Sequence, residues 1–262
     1  MSKTVKTLII ILIIIFIGVF LFSGYKIYST LHEYHVAEKQ YDDLSSAYVK
    51  ANSNTSASPT PTDEDEEIVF DDEISPVEVD FDALLEQCSD IAGWLYCPDT
   101  RINYPVTQTD DNMLYLHHLI TGEYNASGTL FIECMCPPNF AADNTIIYGH
   151  HMNDGSMFAS LESYKYQNYY DEHPVMYINT PTYNYRVDLF AGFTTESDSD
   201  VYAISFGSDE EYQQWLDEVI SQSTFTTDVK VTPKDKIVTL STCSYDYDDA
   251  RYVVMGKLTY IH

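Results

Sequence analysis

Positive charge is scarce in this chain of 262 residues. The sequence has 13 Lys and Arg against 41 Asp and Glu, and its formal net charge at pH 7 is −28. Binding to nucleic acid needs clustered cations that neutralise phosphates, and no basic stripe occurs along the chain. The composition therefore argues against DNA or RNA as a partner. A glycine-rich phosphate loop and the G-x-S-x-G turn of serine hydrolases are also missing, so neither a nucleotide site nor a serine nucleophile is indicated.

Cysteine is sparse as well, and its count is odd. The five cysteines are Cys88, Cys97, Cys134, Cys136 and Cys243. An odd number leaves at least one thiol unpaired unless it bridges to another molecule. A disulfide between Cys88 and Cys97 is conceivable, and it would require their Cα atoms to approach within bonding geometry.

The cysteine and histidine spacings of this sequence match known metal-binding patterns poorly. Cys134 and Cys136 lie upstream of two adjacent histidines, His150 and His151, which raises the possibility of a metal ion. Structural zinc sites usually show C-x(2–4)-C and H-x(3–5)-H spacing, and these two pairs have neither. We therefore expect neither a bound metal nor another cofactor.

The sequence has one long hydrophobic run. Residues 8–22 are almost wholly Ile, Leu, Phe and Val, and residues 7–25 approach the ~20 residues that span a bilayer. Lysines in residues 1–6 favour a cytoplasmic N-terminus, with the rest of the chain outside the cell membrane. A cleaved signal peptide is the alternative. No clear Ala-x-Ala site follows, and the run exceeds the usual ~7–15 residues, which favours an uncleaved anchor.

Residues 26–78 have the composition of a stalk and linker. Residues 25–50 carry apolar side chains at irregular helical spacing, which favours a helical stalk. Residues 51–62 are rich in Asn, Ser, Thr and Pro, and residues 63–73 form a dense acidic run. Such segments are typical of solvated, disordered chain. We predict one folded domain over residues 79–262, with no internal repeat.

Within that domain the pattern is of short strands joined by loops. We expect strands in seven stretches: residues 93–96, 102–106, 128–132, 145–149, 174–178, 183–193 and 201–206. Residues 80–86, 110–118 and 156–162 predict short helices or turns. The clearest helix is 208–220, which Ser208 caps and Glu211 completes as a capping box. Many short strands with few helices predict a mostly β fold, a barrel or sandwich with added helices.

Cys243 stands at the end of a further predicted strand, residues 236–242, and Arg251 begins the next one. A thiol and a guanidinium are thus expected at the facing ends of two antiparallel strands. A strand end gives a side chain a rigid base and an exposed tip, which suits a nucleophile. The alternative is a half-buried cysteine beside a surface arginine.

A catalytic thiol needs a base or a neighbouring cation, because an unperturbed thiol is mostly protonated at neutral pH. His150 and His151 follow the strand 145–149, so an imidazole could meet the Cys243 thiol at one rim of a barrel. His117 and His118 are the competing pair. They lie in the predicted helical segment 110–118, which favours a packing or surface role.

Taken together, these residues resemble the sortases, and specifically class B. The matching segments are Thr239-Leu-Ser-Thr-Cys243, Arg251-Tyr-Val-Val-Met-Gly-Lys and Asn144-Thr-Ile-Ile-Tyr-Gly-His150-His-Met. Gly155-Ser-Met-Phe and Asn125-Ala-Ser-Gly-Thr-Leu-Phe also match, and the likeness covers about residues 80–262. It implies an eight-stranded β-barrel with N-terminal helices. The helix at 208–220, before the strand of the catalytic cysteine, distinguishes class B from class A.

The resemblance also implies a cysteine transpeptidase on the outer face of a Gram-positive cell membrane. Cys243 would attack the Thr carbonyl of a C-terminal sorting motif in a secreted surface protein and form a thioester. His150, the histidine directly after glycine, would transfer protons, and Arg251 would stabilise the oxyanion. Ser241 and Thr242 would contact the substrate. An amine of peptidoglycan, or of its lipid-linked precursor, would accept the protein.

Two other functions compete with this one. A membrane-anchored cysteine peptidase would form the same thioester and release its product to water. A non-catalytic surface binding module would use the 23 tyrosines as a binding face and would not need Cys243.

Overall fold

A computed structural model of the protein describes residues 3–52 and 73–262. The helices and strands are α1 (Lys3–Tyr48), β1 (Val49–Ala51), β2 (Val77–Val79), α2 (Phe81–Gln87), β3 (Ile91–Tyr96), β4 (Asn103–Thr107), β5 (Leu130–Ile132), β6 (Asn144–Tyr148), α3 (Gln167–Glu172), β7 (Val175–Asn179), β8 (Asn184–Glu196), α4 (Asp209–Gln222), β9 (Lys236–Cys243) and β10 (Ala250–Ile261). Two 3₁₀ helices span Ala159–Lys165 and Asp200–Tyr202. The predictions for residues 1–2 and for most of the linker, residues 53–72, lie outside the described residues.

Eight of these strands close into one barrel. Their order around it is β10-β8-β7-β3-β4-β5-β6-β9, which confirms the predicted mostly β fold with an eight-stranded barrel. Most neighbours are antiparallel, while β4–β5 and β6–β9 are parallel pairs. Because β6 and β9 run in the same direction, their C-terminal ends meet at the same rim of the barrel.

Helix α4 covers one outer face of the barrel, as its apolar stripe predicts. Tyr212, Trp215, Leu216 and Val219 are buried there against a cluster that includes residues of β8, β9 and β10. Ser208 caps the helix and accepts a hydrogen bond from the amide of Glu211 at 3.2 Å. The Glu211 carboxylate accepts from the amide of Gly207, one residue before the position that a standard capping box uses.

Two local predictions differ from the structure, and a third is met as turns without a helix. Over residues 110–118, Asp111 Oδ1 accepts the amides of Met113 and Leu114, but the turn that follows ends with a bond from the His117 amide to the Leu114 carbonyl and does not continue as a helix. Residues 201–206 contain no strand, since Ser199 caps the 3₁₀ helix Asp200–Tyr202. The helix expected over 156–162 begins at Ala159 and is 3₁₀.

Helix α1 is long enough and apolar enough near the N-terminus to cross a membrane. Its 46 residues correspond to about 69 Å, more than twice the ~30 Å of a bilayer core. The part beyond residue 25 continues as one helix, and its last turns pack on the barrel through the buried side chains of Ala37, Tyr41 and Leu44. Strand β1 then pairs with β2, with Val49 opposite Val79.

These contacts extend the packed part of the chain upstream of residue 79, where the sequence suggested that folding begins. The apolar spacing of residues 34–48 marks a face that the barrel covers, so this part of the predicted stalk does not stand free. Arg101 adds an ion pair to Glu38 of α1 at 2.9 Å. This pair is half exposed and contributes little beside the apolar contacts.

Replacing Leu44 with alanine should therefore destabilise the barrel. Leu44 is 5% exposed, and removal of such a side chain costs about 2–5 kcal/mol of unfolding free energy. The measurement is denaturant unfolding of the full-length protein in detergent. Leu31→Ala is the matched control on the same helix, because Leu31 is 61% exposed and should change stability by less than about 0.5 kcal/mol. Equal effects of the two substitutions would contradict the packing role of α1.

Candidate active site

Cys243 and Arg251 are brought together by the pairing of β9 with β10. They are direct partners in this antiparallel register, so their side chains leave the sheet on the same face. On the other side of β9, Tyr148 of the parallel strand β6 lies opposite Ser241. His150 lies two residues after Tyr148, and Cys243 lies two residues after Ser241, so both are at the same rim of the barrel.

One cavity of about 270 Å³ joins these strand ends. The five residues to which the resemblance gave a catalytic or substrate-binding role line it: Ser241, Thr242, Cys243, His150 and Arg251. The remaining lining residues are Asn112, Leu116, Phe131, Tyr148, Gly149, Ser197 and Tyr202. Cys243 is exposed, so the thiol is accessible to a ligand that enters this cavity.

The imidazole of His150 is held by the wall segment, which we define as residues 108–129 between β4 and β5. His150 Nε2 lies 2.7 Å from the carbonyl oxygen of Leu116. The ring of His117 stacks on it, with 5.5 Å between centroids and 18° between planes. Burial lowers the pKa of His150, and the charge of His117 lowers it further, while the Leu116 carbonyl acts in the opposite direction. His117, expected to pack or lie at the surface, thus contacts the candidate site.

The neighbouring histidine has different partners. His151 Nδ1 lies 3.1 Å from the backbone carbonyl of Cys243 and 3.7 Å from Glu162 Oε2. Its ring also meets the ring of Tyr245 edge-on at 5.2 Å. His151 therefore braces the end of β9 from outside the cavity, whereas His150 lies within the cavity.

Glu162 connects this bracing histidine to the loop of residues 244–249. It accepts hydrogen bonds from Ser244 Oγ at 2.6 Å and from Lys165 Nζ at 2.9 Å. Lys165 also pairs with Asp246 at 2.8 Å. Burial by itself would raise the pKa of Glu162, but the bonds from Ser244 and Lys165 outweigh it and hold that pKa below its usual value. The loop after the thiol is thereby tied to the 3₁₀ helix Ala159–Lys165.

Arg251 lies next to the thiol and is oriented by its own loop. Its guanidinium pairs with Asp249 Oδ1 at 3.0 Å and donates to the backbone carbonyls of Asp249 and Ala250, each at 3.1 Å. The Arg251 side chain is 28% exposed and Asp249 is 68% exposed. A solvent-exposed pair of this kind is weak, so a substrate can compete for the guanidinium at small cost.

Ser241 and Thr242 are both buried in strand β9 beside the cavity. Ser241 Oγ lies 2.9 Å from the hydroxyl of Tyr202. Thr242 Oγ1 is buried and has no hydrogen-bond partner among residues 3–52 and 73–262. Burial raises the pKa of Tyr202, whose hydroxyl therefore remains protonated and able to donate.

Tyr202 is a site residue that the sequence did not single out. Tyr202 is the last residue of the 3₁₀ helix Asp200–Tyr202. The side-chain amide of Asn144 holds this helix in place by donating to the carbonyls of Val201 and Ala203. This fixation depends on a contact across 57 residues of sequence, so no local pattern indicates it. Asn112 and Leu116 were missed for a similar reason, since they come from the irregular wall segment.

The other four thiols lie elsewhere. Cys88, Cys97 and Cys136 are buried, Cys134 is partly exposed, and all are free, so the conceivable Cys88–Cys97 disulfide is not formed. Burial raises the pKa of Cys97 and of Cys136, which keeps both protonated and unreactive. In the described part of the chain no group of three or more His, Cys, Asp or Glu is arranged to hold a metal ion.

A β-barrel that presents a thiol, an imidazole and a guanidinium at adjacent strand ends has counterparts among known proteins. The family model described as the Sortase domain matches residues 95–259. Sortase B of Listeria monocytogenes is 36% identical over 251 residues, 94% of this chain and 95% of the relative. Sortase B of Staphylococcus aureus is 30% identical over 258 residues, 98% of this chain and 97% of the relative.

Solved structures agree with this match. The structure of a Staphylococcus aureus sortase B–substrate complex has a TM-score of 0.66 and 35% identity, and the match covers 69% of this chain and 84% of that one. Sortase B from Bacillus anthracis in complex with AAEK1 has a TM-score of 0.70 and 31% identity, with 88% and 99% covered.

The chain belongs to the sortase family. Its relatives and the shared barrel place it in class B of that family. It is accordingly an enzyme of the cysteine transpeptidase type, as the resemblance implied.

Proposed function

We propose that this enzyme cleaves a C-terminal sorting motif of secreted surface proteins after Thr and joins the new end to a peptidoglycan amine. The observation that carries the proposal is the single cavity lined by Cys243, His150 and Arg251. A nucleophile, a proton carrier and a fixed cation are the three groups that acyl transfer requires.

In the first half of the proposed reaction, the Cys243 thiolate attacks the Thr carbonyl carbon. A tetrahedral intermediate forms, and Arg251 stabilises the negative charge on its oxygen. The C–N bond then breaks, and the imidazolium of His150 gives its proton to the leaving amine. The product of this half is a thioester between Cys243 and the Thr carbonyl.

In the second half, an amine of peptidoglycan or of its lipid-linked precursor attacks the thioester. His150, now neutral, accepts the proton of that amine, and the thiolate of Cys243 leaves. The same imidazole thus acts as acid and then as base. Ser241 and Thr242 lie on the same strand as the thiol, where they can contact the bound motif.

We further propose that residues 7–25 cross the membrane with residues 1–6 in the cytoplasm, so that the barrel lies outside the cell. The lysines before the apolar run support this orientation. Because α1 continues unbroken into its contacts with the barrel, the active site would be held near the membrane surface, where both the secreted protein and a lipid-linked amine are found.

The test uses the full-length protein in detergent with a panel of sorting-motif peptides, including the Asn-Pro-x-Thr type that class B enzymes read. Each peptide is incubated with and without triglycine or diaminopimelate, and mass spectrometry follows the products. Cleavage after Thr with the amine joined to the new end is the expected result. If water alone adds in the presence of either amine, the enzyme is a hydrolase instead.

Arg251→Ala should lower transpeptidation by about 10²–10³-fold, the usual cost of losing an oxyanion-stabilising group. Arg251→Lys should recover only part of this loss, because a lysine lacks the planar fork of donors. Initial rates with a cleaved motif peptide measure the effect. Arg101→Ala is the control, since Arg101 contacts α1 and lies outside the cavity. A rate for Arg251→Ala equal to that of the control would exclude the proposed role.

A further inference from the structure

The wall segment contains no regular helix or strand, yet it supplies both contacts that orient His150. Leu116 provides the carbonyl at 2.7 Å, and His117 provides the stacked ring. An irregular segment keeps its shape only through the groups that it contacts. The position of the imidazole therefore depends on what holds the wall segment in place.

Helix α1 holds this segment from the opposite side. The hydroxyl of Tyr41 donates to the carbonyl of Gly128 and lies 3.3 Å from Thr129 Oγ1. Asn125 Nδ2 donates to the backbone carbonyl of Glu33 at 3.0 Å. Tyr41 is 5% exposed, and burial raises its pKa, so the hydroxyl remains a donor at any working pH.

Gly128 transmits this contact to Leu116 because the two backbones touch. Gly128 has a φ of +56°, and a Cβ at that position would lie 2.6 Å from the Leu116 carbonyl oxygen. A side chain is excluded there, and the glycine backbone packs directly against the acceptor of His150. The same Cβ would lie 2.5 Å from the Tyr115 carbonyl oxygen, so Gly128 packs against the backbone of residues 115 and 116, which includes the Leu116 carbonyl.

We propose that Tyr41, on the helix that continues the membrane anchor, is a positioning residue for the imidazole of His150. The path runs from the Tyr41 hydroxyl to the Gly128 carbonyl, then to the Leu116 carbonyl and to His150 Nε2. This assignment rests on the proposed function, because only that function gives His150 the role of proton carrier. It makes the docking of α1 part of the active enzyme, with each step a contact between packed groups.

The test compares two Tyr→Phe variants of the full-length protein in detergent. Tyr41→Phe removes the hydroxyl but keeps the ring, which packs edge-on against Tyr104 at 5.2 Å. Tyr48→Phe removes a hydroxyl from the same helix that donates to Gln87 at 3.0 Å, away from the wall segment. For Tyr41→Phe we expect kcat to fall about 5- to 20-fold with KM within about twofold of wild type, because misplacement of a catalytic group affects the transition state. Tyr48→Phe should retain the wild-type kcat.

A second readout needs no substrate. With histidines carrying ¹³C at Cε1, the resonance that disappears in His150→Gln identifies His150. Tyr41→Phe should shift this resonance, and Tyr48→Phe should not. A wild-type kcat for Tyr41→Phe, an unmoved His150 resonance, or equal losses in both Phe variants would overturn the proposal. If the resonance moves as expected while Cys243→Ala retains full turnover, the coupling stands and the proposed function fails.

Discussion

Cys243→Ala is expected to remove transpeptidation almost completely, with a fall of about 10⁴-fold or more. That corresponds to about 5 kcal/mol or more of lost transition-state stabilisation. Alanine has no thiolate to form the thioester, and no other thiol lines the cavity. The measurement is mass spectrometry of both the peptide product and the protein. Wild-type enzyme should show an acyl adduct on the peptide containing Cys243, and the variant should show none.

Cys134→Ala provides the matched control for this loss. Cys134 is partly exposed and lies outside the cavity, and its pKa is raised by burial and by the adjacent Glu133 carboxylate. A thiol in this setting is a poor nucleophile. The control should keep wild-type turnover. Activity that survives in Cys243→Ala and disappears in Cys134→Ala would identify Cys134 as the nucleophile and contradict the role proposed for Cys243.

The juxtaposition of Cys243 and Arg251 could be predicted because it is local. Alternating apolar residues define β9 and β10, and only the loop of residues 244–249 separates them. Two strands joined by a short loop are antiparallel neighbours, so facing ends follow from the chain itself. The position of His150 beside Cys243 could not be predicted from local patterns, because β6 and β9 are parallel neighbours that lie far apart in the sequence. The resemblance to a known family supplied that relation.

What could not be predicted depends on contacts between distant, irregular segments. The bond from His150 to Leu116 joins residues 34 apart, and the bond from Tyr41 to Gly128 joins residues 87 apart. Neither the wall segment nor the 3₁₀ helix that carries Tyr202 has a hydrophobic period that would reveal its packing. The helical stalk beyond the membrane run was expected, but its burial against the barrel was not, because an apolar helix face does not show which part of the chain covers it.

His150→Gln should lower transpeptidation by about 10²–10⁴-fold, the range for losing a positioned acid and base. Glutamine can still donate to the Leu116 carbonyl, so the substitution removes proton transfer while retaining that hydrogen bond. His151→Gln is the matched control at the adjacent position. Its amide can replace the imidazole that contacts the Cys243 carbonyl, and we expect a far smaller loss. A larger loss in His151→Gln would mean that the two histidines have been assigned the wrong roles.

The pH dependence separates the same two residues further. Burial and the charge of His117 place the pKa of His150 below its usual value of 6.5. In the proposed reaction the active form of the Cys243–His150 pair holds one proton, which lies on the imidazole when the thiolate attacks. Because an ordinary thiol holds its proton more tightly than an imidazole, the pair takes up a second proton only below the pKa of His150, and this second proton removes the thiolate. The acid limb of kcat/KM should therefore lie below pH 6.5. His117→Phe keeps a ring in the stack without its charge and should move this limb to higher pH. An acid limb that is unchanged in His117→Phe but displaced in His151→Gln would show that His151 carries the proton.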